Sequence, residues 1–131
     1  MCSANTDFFA PLALKRLTLP NRFVRSATFE GMADAKGVPD VNAFARLYGT
    51  LAEGGAGTII TGFCFVSRRG RAMQPGQAGM DRDALIEPWS RVIQSVRDAN
   101  PRTRIFAQLA HTGRQTRATA TGEPVVISDP S

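Results

Sequence analysis

Residues 57–66, GTIITGFCFV, constrain the fold more than any other stretch. Thr58, Ile59, Ile60 and Thr61 make a nearly unbroken β-branched run. Such a run fits a strand buried on both faces, as in a parallel sheet. Amphipathic helical patterns flank it. Upstream, Phe44, Leu47, Tyr48 and Leu51 fall at i, i+3, i+4 and i+7, with Asp40 placed as an N-cap and Gly54-Gly55 as a stop. This predicts a helix from Val41 to about Glu53. Downstream, Trp89, Val92, Ile93 and Val96 repeat the spacing and predict a second helix over residues 88–100, with Pro88 in its first turn.

The remaining segments complete the order. In FFAPLALKRLTL (8–19), Leu12 and Leu14, then Leu17 and Leu19, are spaced by two around Lys15-Arg16, which reads as a hairpin. RFVRSAT (22–28) reads as a strand with small residues at its C-terminal end, where a ligand or another backbone can approach. Residues 29–40 form a glycine- and proline-punctuated loop. A basic loop, SRRGRAMQPGQAGM, follows the central strand and is longer than a plain connection needs. Residues 105–109, within RIFAQLAHTGR, read as a short buried strand with Gln108 inside an apolar run. A buried amide costs free energy unless it is partnered. Either the protein satisfies Gln108 internally, or Gln108 is presented to a polar ligand. From Thr112 to Ser131 the chain reads as a long polar loop.

Strand–helix alternation with short αβ turns and long βα loops means parallel βα units. Ligands in such folds sit at the C-terminal ends of the strands. Those ends carry Ser26-Ala27-Thr28, Gly62-Phe63, and Gln108 to Arg114, a segment that includes His111, the sole histidine.

Composition narrows the classes. The 131 residues suit one domain without a boundary, residues 1–131. Sixteen basic residues outweigh eleven acidic ones, and only Lys15 and Lys36 are lysine. The arginines are dispersed, densest at Arg68, Arg69 and Arg71, and do not interleave with aromatics along a face, which argues against nucleic acid as partner. Cys2 and Cys64 are too far apart in sequence to read as a disulfide framework or metal site. No run of apolar residues is long enough to span a membrane, and the N-terminus lacks a clear secretory signal, so the cytoplasm is the expected compartment. Neither a dinucleotide-binding nor a phosphate-loop glycine motif follows a strand, and no nucleophile elbow exists.

LTLPNRFVRSAT, AEGGAGTIIT, the loop beginning VSRRGRA, and IFAQLAHTGR occur in register. Together they resemble the N-terminal part of the Old Yellow Enzyme family of NAD(P)H:flavin oxidoreductases, over about residues 8–131. The resemblance implies an incomplete (β/α)8 TIM barrel of the α/β class: an N-terminal β-hairpin followed by about three parallel βα units. It implies FMN as cofactor, NAD(P)H as reductant, and an α,β-unsaturated carbonyl compound as small-molecule substrate. It puts Ser26, Ala27 and Thr28 under or beside the flavin ring, the Thr28 hydroxyl near its carbonyl edge, and the Gln108 amide at its pyrimidine edge. The bland alternatives are a plain strand threonine and a structural glutamine. His111 and Arg114 match the loop after the third strand, where His111 reads as a satisfied structural histidine and Arg114 as a loop anchor or active-site residue.

Two departures from the family follow. Aligned without gaps, Gly62 falls where many members have an acidic residue, and Phe63 falls at a usual small residue beside the flavin. That leaves open which of the two makes the backbone contact. A barrel also needs about 250 residues. By the resemblance, the family's substrate-holding pair, proton donor and phosphate-binding groups would lie downstream, beyond Ser131. The expectation is therefore a fragment or one part of a split barrel, with no catalytic residue of its own, needing the remainder of the barrel or another chain. The alternative is a non-catalytic fragment that works only by association, with other chains or with copies of itself.

Overall fold

The computed structural model describes residues 7–122. Its elements run β1 (Leu12–Leu14), β2 (Leu17–Leu19), β3 (Val24–Arg25), α1 (Val41–Glu53), β4 (Thr58–Phe65), α2 (Ile86–Ala99), β5 (Arg104–Ala110) and α3 (Ala118–Thr121). β1 and β2 form the expected antiparallel hairpin, Leu14 opposite Leu17 across Lys15-Arg16. β3, β4 and β5 form one parallel sheet with β4 in the centre.

α1 has the bounds its apolar spacing predicts. The Asp40 carboxylate accepts from the Ala43 N–H at 3.0 Å, and Gly55, at φ +87°, turns the chain out of the helix. α1 and α2 pack on each other and on the outer face of β4. Phe44, Tyr48, Ala52, Ile59, Cys64, Trp89, Val92 and Val96 form most of this core. At the N-terminal ends of the strands, polar side chains tie the turns together. Asn21 donates to the Gly55 carbonyl at 2.8 Å and Thr103 to that of Ala56 at 2.8 Å.

β4 is interrupted by a bulge. Ile59 and Cys64 both belong to the helix-facing core although they lie an odd number of residues apart, which on a regular strand would put them on opposite faces. The register with β5 shifts between Ile60 and Phe63, and the extra backbone re-aims the strand. Thr61 fills the irregularity: its hydroxyl donates to the Gly62 carbonyl at 2.9 Å and accepts from the Gln108 N–H at 3.2 Å.

Four expectations change. The strand expected over 22–28 is regular only at Val24–Arg25, because the Arg25 guanidinium, not the next stretch of backbone, donates to the Ile60 carbonyl at 3.1 Å. The second helix starts two residues earlier than its apolar spacing indicates, at Ile86, behind a 3-10 turn at Asp83–Leu85 whose Leu85 is buried. The third strand is longer than expected and is not buried. Phe106 is 44% and Leu109 60% exposed, and Gln108 is exposed too. β5 is the outer strand of the described sheet, beside β4. Finally, the stretch read as one polar loop from Thr112 to Ser131 contains the short helix α3, because the hydroxyl and backbone groups of Thr112 and Thr116 fasten it to the basic loop. The end of that stretch, residues 123–131 with Ser131, lies outside the described residues, as does Cys2. The expectation that the catalytic pair falls beyond Ser131 likewise concerns nothing within them.

Candidate functional site

The C-terminal ends of the three parallel strands meet at one rim. Phe63 and Gln108 are register partners across β4 and β5. A Cβ built on Gly62 would lie 2.6 Å from the Thr28 carbonyl, so Thr28, Gly62, Phe63 and Gln108 form one continuous patch. The structure brings together what the sequence placed on three separate strands. Ser26 and Thr28 are exposed and Ala27 half-buried. The Thr28 hydroxyl donates to the Ser26 carbonyl at 3.2 Å.

The expected cost of a buried Gln108 does not arise, since its side-chain amide is exposed and makes no hydrogen bond among the described residues. The glutamine that is fully buried is Gln77, at 0% exposure. Its carbonyl accepts from the Ala72 N–H at 2.7 Å and its amide donates to the Phe63 carbonyl at 3.2 Å. Gln77 thus pins the basic loop beneath the rim. A loop position with no period gave no sequence signal for this.

Glu30 was also missed, and it organises the site. Its side chain is only 5% exposed and pairs with Arg25 at 2.9 Å. It accepts from the Tyr48 hydroxyl at 2.7 Å and from the Gly62 N–H at 3.1 and 3.2 Å. A Cβ on Gly62 would overlap this carboxylate. The preceding loop thus delivers a carboxylate into the space that the glycine leaves on β4. Glu30 sits in a loop with no period, which gave no sequence signal for it. Burial and the bond to Glu30 raise the Tyr48 phenol far above its ordinary range, so it stays a donor.

Gly62 has no backbone donor left for a ligand, because its N–H is committed to Glu30. Phe63 is half-buried, with its ring 5.3 Å from that of Phe29. His111 packs its ring against Gly70, which has no room for a side chain there, and its Nδ1 accepts from the Gly113 N–H at 3.1 Å. Arg114 is exposed and lines a cleft of about 500 Å³ with Phe63, Thr112 and Arg117. A larger cleft of about 620 Å³ opens at the opposite end, among Phe9, Phe23, Leu51 and Asn100. It lies away from the strand ends where βα folds place their chemistry. Cys64 is buried, and burial pushes its thiol up to about 11. Among the described residues, no three His, Cys, Asp or Glu side chains group as metal ligands, and no helix is long and apolar enough to cross a membrane.

The sequence model of the NADH:flavin oxidoreductase / NADH oxidase family matches residues 7–130. The chain belongs to this family. Among curated relatives, it is similar to the "Metal reductase" of Desulforamulus reducens, at 31% identity over 93% of this chain and 17% of that protein. It is also similar to the "NADH-dependent flavin oxidoreductase iliE" of Hypocrea jecorina, at 35% identity over 80% of this chain and 26% of that protein. Among solved structures, the old yellow enzyme homologue from Zymomonas mobilis matches with a TM-score of 0.76 at 31% identity, over 88% of this chain and 31% of that one. Morphinone reductase matches at 0.78 and 29%, over 90% and 30%. The chain spans under a third of the length of these relatives. It therefore has the fold of the N-terminal part of an Old Yellow Enzyme barrel: the hairpin, then β3, β4 and β5 as its first three parallel strands. The family's cofactor is FMN, with NADH or NADPH as reductant.

Proposed function

We propose that residues 1–131 are the N-terminal part of a single FMN-binding barrel domain, in an oxidoreductase of the ene reductase type acting on α,β-unsaturated carbonyl compounds. One observation carries this reading. The Gln108 amide is exposed and makes no hydrogen bond among the described residues, at the strand ends beside Phe63 and next to the close-packed Thr28–Gly62 backbone. An amide with two donors and one acceptor complements the mixed pyrimidine edge of a flavin, and a glycine backbone lets a flat ring approach. Bound FMN supplies hydride transfer from NAD(P)H to the substrate. The chain's own part is positioning: Gln108 orients the ring edge, Ser26, Ala27 and Thr28 form the bed beneath it, and Phe63 supplies the strand contact that Gly62 cannot. Gly62 acts through its close packing. His111 and Arg114 shape the loop above.

Among the described residues none is assigned the catalytic role, and turnover would draw on groups supplied by the rest of a barrel or by another chain. The exposed Phe106 and Leu109 on the edge strand support its working with the remainder of a barrel or another chain. A cytoplasmic setting fits the buried free thiol at Cys64.

The test is flavin binding by the protein with its complete barrel. Gln108→Leu should weaken FMN affinity about tenfold, the scale of one lost hydrogen-bonding group, read by titrating apoprotein and following flavin fluorescence. Unchanged affinity and an unchanged flavin absorption spectrum would end the assignment of Gln108.

A further inference from the structure

Two loops at the rim carry arginines and no carboxylates. Residues 66–80 contain Arg68, Arg69 and Arg71, and residues 111–122 contain Arg114 and Arg117; neither stretch has an Asp or Glu. The fold stitches them together. The N–H and hydroxyl of Thr112 both donate to the Gly70 carbonyl, at 3.0 and 3.1 Å. The Thr116 hydroxyl donates to the Arg71 carbonyl, and the His111 ring rests on Gly70.

The arginines differ in what they are doing. Arg71 is committed: its guanidinium donates to the carbonyls of Asp34 and Ala35 and lies 5.4 Å over the Phe65 ring. Elsewhere, Arg25 and Arg82 are paired with carboxylates. Arg114 and Arg117 are exposed, and among the described residues their guanidinium groups make no ion pair or hydrogen bond. Both line the cleft of about 500 Å³, whose apolar wall is Phe63 and Met73. The acids of the neighbouring loop are occupied. Glu30 is tied to Arg25 and Gly62, and Asp34 accepts from the N–H groups of Lys36 and Val38 at 2.8 Å each. Two guanidinium groups with no partner among the described residues, set over an apolar wall beside a loop whose acids Glu30 and Asp34 are engaged, form an anion-recognition geometry.

We propose that Arg114 and Arg117 bind an anionic group, carboxylate or phosphate, on the ligand whose unsaturated or ring portion lies against Phe63. This rests on the flavin-site reading for what happens at the far end of that ligand, not for the anion contact. Two sources share the chemistry: a carboxylate on the substrate itself, or the 2′-phosphate that distinguishes NADPH from NADH.

The experiment uses flavin-loaded protein with its complete barrel and two matched ligand pairs. One pair is 4-oxopent-2-enoate and 3-penten-2-one, which differ by carboxylate against methyl. The other is NADPH and NADH. Dissociation constants are read from perturbation of the flavin spectrum and KM from turnover, for the parent, Arg114→Gln, Arg117→Gln and the double variant. Arg91→Gln, on the exposed face of α2, is the control. In the double variant the preference for the charged member should fall about tenfold or more in at least one pair, the scale of lost charge-assisted bonds. Raising salt on the parent should shrink the same preference. A fall in the first pair names the substrate, and a fall in the second names the reductant. An unchanged preference in both pairs, or equal weakening of charged and neutral members, overturns the proposal. If the purified protein holds no flavin, the flavin reading fails separately, and calorimetric titration with sodium 4-oxopent-2-enoate and sodium phosphate still reads the rim. Absence of binding there, or binding undiminished in the double variant, overturns it.

Discussion

Glu30 closes its carboxylate over the Gly62 N–H at 3.1 and 3.2 Å, in the space where any side chain at position 62 would sit. The same carboxylate answers the Arg25 guanidinium and the Tyr48 hydroxyl. One loop residue therefore joins β3, α1 and β4 at the point where the strands deliver their ends to the rim.

Removing that carboxylate should cost more than the pair itself is worth, because Arg25 is left largely buried without a counter-charge. Glu30→Ala is expected to lose about 3–5 kcal/mol, the range for breaking a buried pair from one side, measured by urea denaturation. Glu30→Gln keeps the shape and one acceptor and should lose less. Equal stability of Glu30→Ala and the parent would show that the network contributes nothing.

The glycine side of the same contact makes a second prediction. Gly62→Ala pushes a Cβ into the Thr28 carbonyl and the Glu30 carboxylate, and should destabilise by about 1–3 kcal/mol, as overpacking does. Gly49→Ala is the contrast: it lies inside α1 with open space where its Cβ would go. That change should stabilise by about 0.5–1 kcal/mol through helix propensity. Thermal melts of the two variants should move in opposite directions.

Gln77→Leu should loosen the basic loop. It strands the Ala72 N–H and the Phe63 carbonyl, each a buried group costing about 1–3 kcal/mol when unpaired. Limited trypsin cleavage at Arg68, Arg69 or Arg71 should speed up relative to the parent, while cleavage in the exposed Lys15-Arg16 turn stays the same.

Alkaline pH should reduce stability in a defined window. Burial raises the Cys64 thiol from 9.0 to about 11, against the lowering effect of its bond to Thr61. The unfolded chain therefore releases this proton first. The stabilisation is complete below about pH 9 and is lost as pH rises toward 11, at up to about 1.4 kcal/mol per pH unit. The Tyr48 phenol, raised by burial and by Glu30, adds to the slope above its ordinary value. Urea midpoints from pH 7 to 11 should fall, and Cys64→Ala should flatten the first part of that fall.

Periodicity alone made much of the architecture legible. The apolar spacing of Phe44 to Leu51 predicts the bounds of α1, and the β-branched run predicts a central buried strand. Gln108 misled where burial was inferred from neighbours. An apolar run is the same string whether the strand lies inside a closed barrel or on the outside of a sheet, and within the described residues β5 is the outer strand. Glu30 and Gln77 were invisible for another reason: each sits in an aperiodic loop, and its deciding partner, Gly62 for Glu30 and Phe63 for Gln77, is more than ten residues away.

The sequence by itself determined the hairpin, the order of the parallel strands and of α1 and α2, and the family, because spacing and local propensity are written residue by residue along the chain. Only the tertiary structure decided that Glu30 fills the space beside Gly62, that Gln77 rather than Gln108 is the buried amide, and that Arg114 and Arg117, without partners among the described residues, share one cleft. Each of those depends on which side chains meet across the sheet, and distance in space is not encoded by distance along the chain.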